Sequence, residues 1–377
     1  MDFSLNDMQR MLQDSAETFA REHGEFERRR ALLASEPGYA ETDWALMAEL
    51  GWFALLLPED AGGIGGGPVE TMLIMEALGR ARASEPFFST AVLGAGLLLR
   101  HGSAAQRERY LAPLAAGHCK VAWAHTEAGA CDARYAVALT ARPQGGGFVL
   151  NGAKATVLDA PTADVFIVSA RSAGAPGERD GLSLFLVPAD AAGLSRRAFT
   201  TLDGGRAAHL TLADVHVPAE ALLGAGGSGA DLIDDAYRHA IAALCAENLG
   251  AMQAMHDATL EYLKVRRQFG RPIGQFQALQ HRQVDMYIAL EEARSLTLAA
   301  TMALADGLPE ADRLLSMAKV QAGRSAKVVG QGAIQLHGGI GMTDELSVGA
   351  HFKRCTVIEA LFGASRHHLA RLATAAA

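Results

Sequence analysis

The feature that most constrains the fold is a change of apolar rhythm that occurs twice along the 377 residues. Up to about residue 118, apolar side chains recur at helical spacing: Met8, Met11, Leu12 and Phe19, then Trp44, Met47, Ala48 and Leu50 after the break at Pro37–Gly38. From 119 to 222 short runs rich in Val, Leu, Ile and Phe replace them: VAWAHT, FVLNG, ADVFIVSA, LSLFLVP and LTLADVHVP. Turn residues at Gln144–Gly147 and Pro176–Gly177 punctuate these runs, which predicts a small β-barrel or sandwich. From 223 onward helical steps return in Ile241, Leu244, Cys245, Met252, Met255 and Leu260, with Gly226–Gly229 as the linker. The expectation is an α+β chain of three domains: helical 1–118, β 119–222 and helical 223–377.

Composition removes several classes. The net charge of −8 excludes a general electrostatic affinity for nucleic acid. No apolar stretch is long enough to span a bilayer, and Ala91–Leu99 fits a buried helix better. MDFSLNDMQR has no basic run followed by an apolar one, so a cytoplasmic protein is expected. Cys119, Cys131, Cys245 and Cys355 form no C-x-x-C pair, so they read as reduced thiols and no metal site is expected. The glycine-rich AGGIGGG, Ala61–Gly67, is a loop without dinucleotide-fingerprint spacing.

Two segments of the last third carry more chemistry. RRQFGRPIGQFQALQH, Arg266–His281, concentrates Arg266, Arg267 and Arg271 into a basic cluster suited to an anionic ligand. QLHGGIGMTDE, Gln335–Glu345, places glycines where backbone N–H groups can approach a phosphate closely.

Together these segments resemble the flavin-binding half of the acyl-CoA dehydrogenases, and further motifs extend the resemblance over nearly the whole chain. LGWFALLLPEDAGGIG, Leu50–Gly65, is similar to the family's L-G-W-x-x-L-x-x-P-E-x-x-G-G. AHTEAGACD, Ala124–Asp132, is similar to its T-E-P-x-A-G-S-D loop, one residue shorter and without the proline. LNGAKATV, Leu150–Val157, matches L-N-G-x-K, but Thr156, Val157 and Leu158 stand where the family usually continues with Trp-Ile-Thr or Ser. The resemblance implies an N-terminal helical domain, a middle β-barrel and a C-terminal four-helix bundle, with FAD as cofactor. It implies that Arg266 pairs with the FAD pyrophosphate while Gln268 and Phe269 support the adenine end. It further implies that Phe276 and Gln277 line the adenosine pocket, that Thr126 lies at the flavin, and that Gln335, Gly338 and Gly339 approach the dinucleotide from a neighbouring subunit.

The reaction implied is α,β-dehydrogenation of an acyl-CoA thioester. It needs donors to polarise the thioester oxygen and a carboxylate of raised pKa to remove the α proton. ALFGAS, Ala360–Ser365, resembles the family's Y-E-G-T segment, so Phe362 stands at the usual glutamate position and Ala364 at the threonine. The family's alternative glutamate position, on the first long helix of the bundle, aligns with Ala240. Two carboxylates remain as substitutes. Glu247 lies two helical turns after Ala240, and Glu359 lies three residues before Phe362. Phe362 keeps the backbone N–H that the family uses on the thioester.

ALFGASRHHL, Ala360–Leu369, resembles most the pimeloyl-CoA dehydrogenase small-subunit branch. In that group two different chains assemble as α2β2, one of them bearing the glutamate. The expected partners are therefore an acyl-CoA substrate, an electron-transfer flavoprotein, and either further copies or a glutamate-bearing sister chain. A base-less FAD-binding subunit is the alternative, and an oxygen-using flavoenzyme on the same scaffold is a third reading. His337 reads as packing near the dinucleotide, His281 as structural, and His367–His368 as part of a solvated C-terminal helix.

Overall fold

The computed structural model describes residues 4–375 apart from Cys131, which lies outside the described residues. Helices α1 (Asp7–His23), α2 (Phe26–Ala34), α3 (Glu41–Glu49) and α4 (Pro68–Ala81) come first. A wide-turn helix, Phe88–Ala95, runs into α5 (Gly96–His101), and α6 (Ala104–Ala115) follows. Local sequence sets the starts of α1 and α6. The Asn6 side chain accepts from Gln9 N at 2.8 Å while Gln9 Oε1 accepts from Asn6 N, and Ser103 with Gln106 repeats the arrangement.

Eight strands follow: β1 (Val121–Ala124), β2 (Thr140–Gln144), β3 (Gly147–Leu158), β4 (Val165–Arg171), β5 (Leu182–Pro188), β6 (Leu194–Thr200), β7 (Arg206–Pro218) and β8 (Leu222–Leu223). They form one sheet in the order β6-β7-β3-β2-β4-β5-β8, with β1 parallel to β4. The hydrogen-bonded path is open among the described residues. One apolar cluster nevertheless draws on both of its halves, with Leu210, Leu212 and Val215 of β7 beside Phe166 and Val168 of β4 and Phe185 of β5. The sheet therefore closes over a shared interior, as a barrel does.

Apart from a short hairpin after α7, the rest is helical: α7 (Gly229–Val265), α8 (Gln277–Ala305), α9 (Ala311–His337), α10 (Ser347–Ala360) and α11 (Ser365–Ala375). Met252 and Met255 of α7, Met286 and Leu290 of α8, Val329 and Ala333 of α9, and Val348 and Cys355 of α10 share one core, which is a four-helix bundle. No described helix is long and apolar enough to cross a membrane.

Compactness divides the chain differently from its rhythm. One unit comprises residues up to Leu32, Pro68–Ala83 and everything from Ile241 onward, and the other comprises Leu33–Gly67 with Ser84–Ala240. The N-terminal helices are thus shared out: α1 and α4 belong with the bundle, α3, α5 and α6 with the sheet. The α4–α7 packing shows why. A Cβ on Gly79 would strike the Glu247 carbonyl, and one on Gly250 the Glu76 carbonyl, so the two helices meet backbone to backbone.

Three histidines, buried His125 and His368 and half-buried His239, make the fold acid-sensitive. Burial pushes His125 and His368 down to about 3 and His239 to about 4. Each stays neutral in the folded chain while an unfolded histidine takes up a proton near pH 6.5. The unfolded state then binds more protons below pH 6.5, so stability falls as pH drops toward 3 to 4. The expected slope is roughly 1.4 kcal/mol per pH unit for each histidine. Urea unfolding between pH 7 and pH 5 checks it, and a flat profile contradicts it.

Candidate functional site

In the bundle unit, α7 ends on a short hairpin in which Arg267–Gln268 pairs antiparallel with Arg271–Pro272. Phe269 (φ +52) and Gly270 (φ +81) make its turn, leaving the Phe269 side chain 91% exposed. Phe276 lies edge-on to Phe269 at 6.1 Å, and the Arg271 guanidinium covers the Phe276 ring at 4.2 Å. Arg266 is exposed, with its backbone closing α7 through Tyr262 and Ile273. Its guanidinium has no hydrogen bond or ion pair among the described residues.

The second motif lies at the same end of the bundle. Tyr262 stacks on His337, the last residue of α9, at 4.4 Å, and His337 is pinned by Ala333 O at 2.8 Å. The chain then leaves α9 through Gly338 at φ +68, ψ −143, a conformation essentially confined to glycine. No side chain lies over Gly338 or Gly339, and Gln335 and Gln277 are exposed. One chain therefore presents an uncommitted guanidinium, aromatic rings and bare backbone together, a set that fits a dinucleotide with two phosphates and a flat ring.

The sheet unit contributes Thr126, which lies just past β1. Its carbonyl accepts from Ala155 N at 2.8 Å, and its hydroxyl has no partner among the described residues. Sequence reasoning missed what surrounds it. Lys154 is buried and donates to His125 O (3.1 Å), Glu127 Oε1 (2.7 Å) and Ser169 Oγ (3.0 Å). Glu127 and Lys154 both sit in the quoted motifs, so the letters were visible although the pairing was not. Two residues on, Thr156 takes φ +52 at a break in the β3–β7 register, which a β-branched residue rarely does.

The segment after α10 holds the expected base position. Phe362 (φ +55) and Gly363 (φ +96) form a left-handed pair. The Phe362 side chain packs on a cluster that includes Ile241, Cys245, Leu315, Ala318 and Ala322. Its carbonyl bonds His368 Nε2 at 3.1 Å, while His368 Nδ1 reaches Ser316 Oγ at 3.2 Å. This corrects the reading of His368 as solvated. It is fully buried because the Phe362 carbonyl needs a donor inside the bundle, and burial keeps the ring neutral. Buried Lys319 likewise donates to Ile358 O at 2.7 Å and closes the end of α10.

The two substitute carboxylates differ. Glu247 is forked by Arg354, with Nε–Oε1 at 2.5 Å and Nη2–Oε2 at 2.9 Å, so both its oxygens are committed. Glu359 Oε1 accepts from Ser365 N at 2.9 Å, while its Oε2 is buried without a partner, walled by Gly323. Ala240 is buried and holds no polar group. The fork makes a stability prediction. Glu247→Gln removes the charge from this buried fork and should cost about 2 kcal/mol or more, read by urea denaturation. A variant of wild-type stability would contradict the structural role.

Among the described residues no group of His, Cys, Asp or Glu could hold a metal ion. Cys119, Cys245 and Cys355 are buried free thiols. Comparison with known proteins gives three matching family models: acyl-CoA dehydrogenase N-terminal domain over 6–118, middle domain over 122–215 and C-terminal domain over 227–377. The caffeyl-CoA reductase-Etf complex subunit CarC of Acetobacterium woodii is 33% identical over 85% of this chain and 85% of its own. The ChsE4-ChsE5 complex from Mycobacterium tuberculosis is 27% identical with a TM-score of 0.90, covering 99% of this chain and 98% of that one. An FAD complex of PigA is 28% identical with a TM-score of 0.91, covering 100% and 99%.

Proposed function

This chain belongs to the acyl-CoA dehydrogenase family, whose members are FAD-dependent oxidoreductases, and from that premise we propose that it is a subunit of an FAD-dependent enzyme that dehydrogenates an acyl-CoA thioester. The observation that carries the cofactor assignment is the convergence of exposed Arg266, exposed Phe269 and bare Gly338–Gly339 at one end of the bundle. Arg266 would hold the pyrophosphate, with Gln268, Phe269, Phe276 and Gln277 around the adenosine and Gln335, Gly338 and Gly339 beside them. In the assembly Gln335, Gly338 and Gly339 would come from a neighbouring subunit, carried at the same bundle end by the Tyr262–His337 stack. Thr126 supplies a hydroxyl from the sheet. FAD, when bound, supplies the hydride acceptor.

Proton removal falls to a carboxylate. Within this chain Glu359 is the better candidate, because Oε2 is free to take the α proton while Glu247 is held in its fork. Reaching a substrate requires Glu359 to turn away from Gly323. The Phe362 backbone N–H is assigned to the thioester oxygen. Glu359→Gln keeps the bond from Ser365 N and should lower single-turnover flavin reduction by roughly 100-fold or more without loss of FAD.

A second reading is favoured by one observation: an apolar cluster occupies the space around Phe362, where relatives place glutamate. In that reading a sister chain carries the glutamate, as in the pimeloyl-CoA dehydrogenase small-subunit branch, and the named ChsE4-ChsE5 complex supports a two-chain assembly. Val284, Tyr287 and Ile288, exposed together along α8, suit burial against another subunit. The Etf complex of CarC supports an electron-transfer flavoprotein as the onward acceptor. The three buried thiols support a reducing, cytoplasmic setting. The division at 118/119 and 222/223 is retained as the functional one.

Native mass spectrometry of the complex from its own cells tests this. One chain type with one FAD each assigns the base to Glu359. Two chain types assign it to the partner. A complex without flavin refutes the proposal.

A further inference from the structure

Lys154 is the hub of a buried polar network whose shape has one consequence for Thr126. Its ammonium has three donors and meets three acceptors: His125 O, Glu127 Oε1 and Ser169 Oγ. Two of these flank Thr126 in sequence. Glu127 is itself anchored, its Oε2 accepting from Ala138 N at 2.8 Å and its Oε1 from Leu139 N at 3.0 Å. His125 Nδ1 meets Ser169 Oγ at 2.9 Å, and Ala155 N holds the Thr126 carbonyl. The neighbours of Thr126 are therefore fixed, and its own hydroxyl has no partner among the described residues. A fully satisfied buried network of this kind rigidifies what it encloses.

We propose that Lys154 is a positioning residue for the flavin: by clamping residues 125 and 127 it fixes the Thr126 hydroxyl for the bound cofactor. This rests on the FAD reading above.

The clamp is proton-dependent in a defined direction. Burial lowers Lys154 to about 8, with Glu127 opposing the shift. The other groups facing this network are His125, held neutral by burial, and Arg134 and Arg171, whose charges act on His125 and Glu127 respectively. Loss of the Lys154 proton cuts its donors from three to two, so one of its three acceptors is released. The lowered value also means that the unfolded chain binds more protons between about 8 and 10.5. Global stability therefore does not fall through that window on account of this group. The effect expected is local, at the flavin.

The experiment follows FAD dissociation and the visible flavin spectrum of the full-length holoprotein from pH 6 to pH 9.5. Wild type is expected to show a reversible change centred near pH 8 without global unfolding. The paired variant Lys154→Met/Glu127→Gln removes both charges, so neither is left buried alone. It should bind FAD roughly 10-fold more weakly and lose the pH-dependent change. FAD binding by wild type with a flat profile overturns this inference and leaves the FAD reading intact. So does a paired variant with wild-type affinity and spectrum. Wild type that binds no FAD overturns both. Because the wild-type profile is a test by itself, poor folding of the variant does not shelter the proposal.

Discussion

In a chain that carries Glu359→Gln, adding Phe362→Glu is expected to raise the rate of flavin reduction by acyl-CoA by roughly 100-fold or more, the usual worth of a placed general base. The backbone is already prepared. Phe362 holds φ +55 before Gly363 at φ +96, and His368 anchors its carbonyl, so a glutamate inherits the conformation without new backbone strain. The surroundings suit a base as well. Ile241, Cys245, Leu315 and Ala322 offer a poorly solvated setting that raises a carboxylate pKa toward neutrality. The cost is packing: losing the ring from this cluster should remove about 2 kcal/mol of stability. Anaerobic stopped-flow absorbance at matched FAD content measures the gain. A variant that keeps FAD, binds acyl-CoA and is no faster would show that the loop after α10 is not where the α proton is taken.

The second large effect is on cofactor retention. Arg266→Ala should weaken FAD binding by roughly 30-fold or more, since a charge-assisted fork to phosphate is lost. Arg266→Lys should recover only part of it, because an ammonium is a point charge without the planar fork. Neither variant should change the melting temperature of the flavin-free protein, as the Arg266 side chain is exposed and bonds nothing among the described residues. FAD-to-protein ratios after desalting, with a fluorescence titration of the flavin-free form, give the numbers. Full retention in Arg266→Ala would move the phosphate site elsewhere, with Arg267 and Arg271 next in line.

The elements themselves were legible because they depend on local rhythm. The β-rich runs of 119–222 became the eight strands, and the helical spacing of Met252 and Met255 became the core face of α7. The compact units were not legible, because they depend on which helices can meet backbone to backbone. Gly79 and Gly250 do not announce in sequence that they face each other's helix. The two candidate cofactor motifs stand out in sequence because they are contiguous strings, whereas the Lys154–Glu127 pair lies 27 residues apart on different segments. His368 was misread for a related reason. Its ring bonds the Phe362 carbonyl in a left-handed turn, and nothing in ALFGASRHHL shows that turn until the chain is folded.

The measurement that tests the central claim most directly is anaerobic titration of the complete native assembly with acyl-CoA thioesters, following the visible flavin band. The band should bleach with at least one acyl chain and return on adding an electron-transfer flavoprotein. An assembly that carries no flavin, or one whose band is untouched by short, long, dicarboxylic and cyclic acyl-CoAs alike, would contradict it.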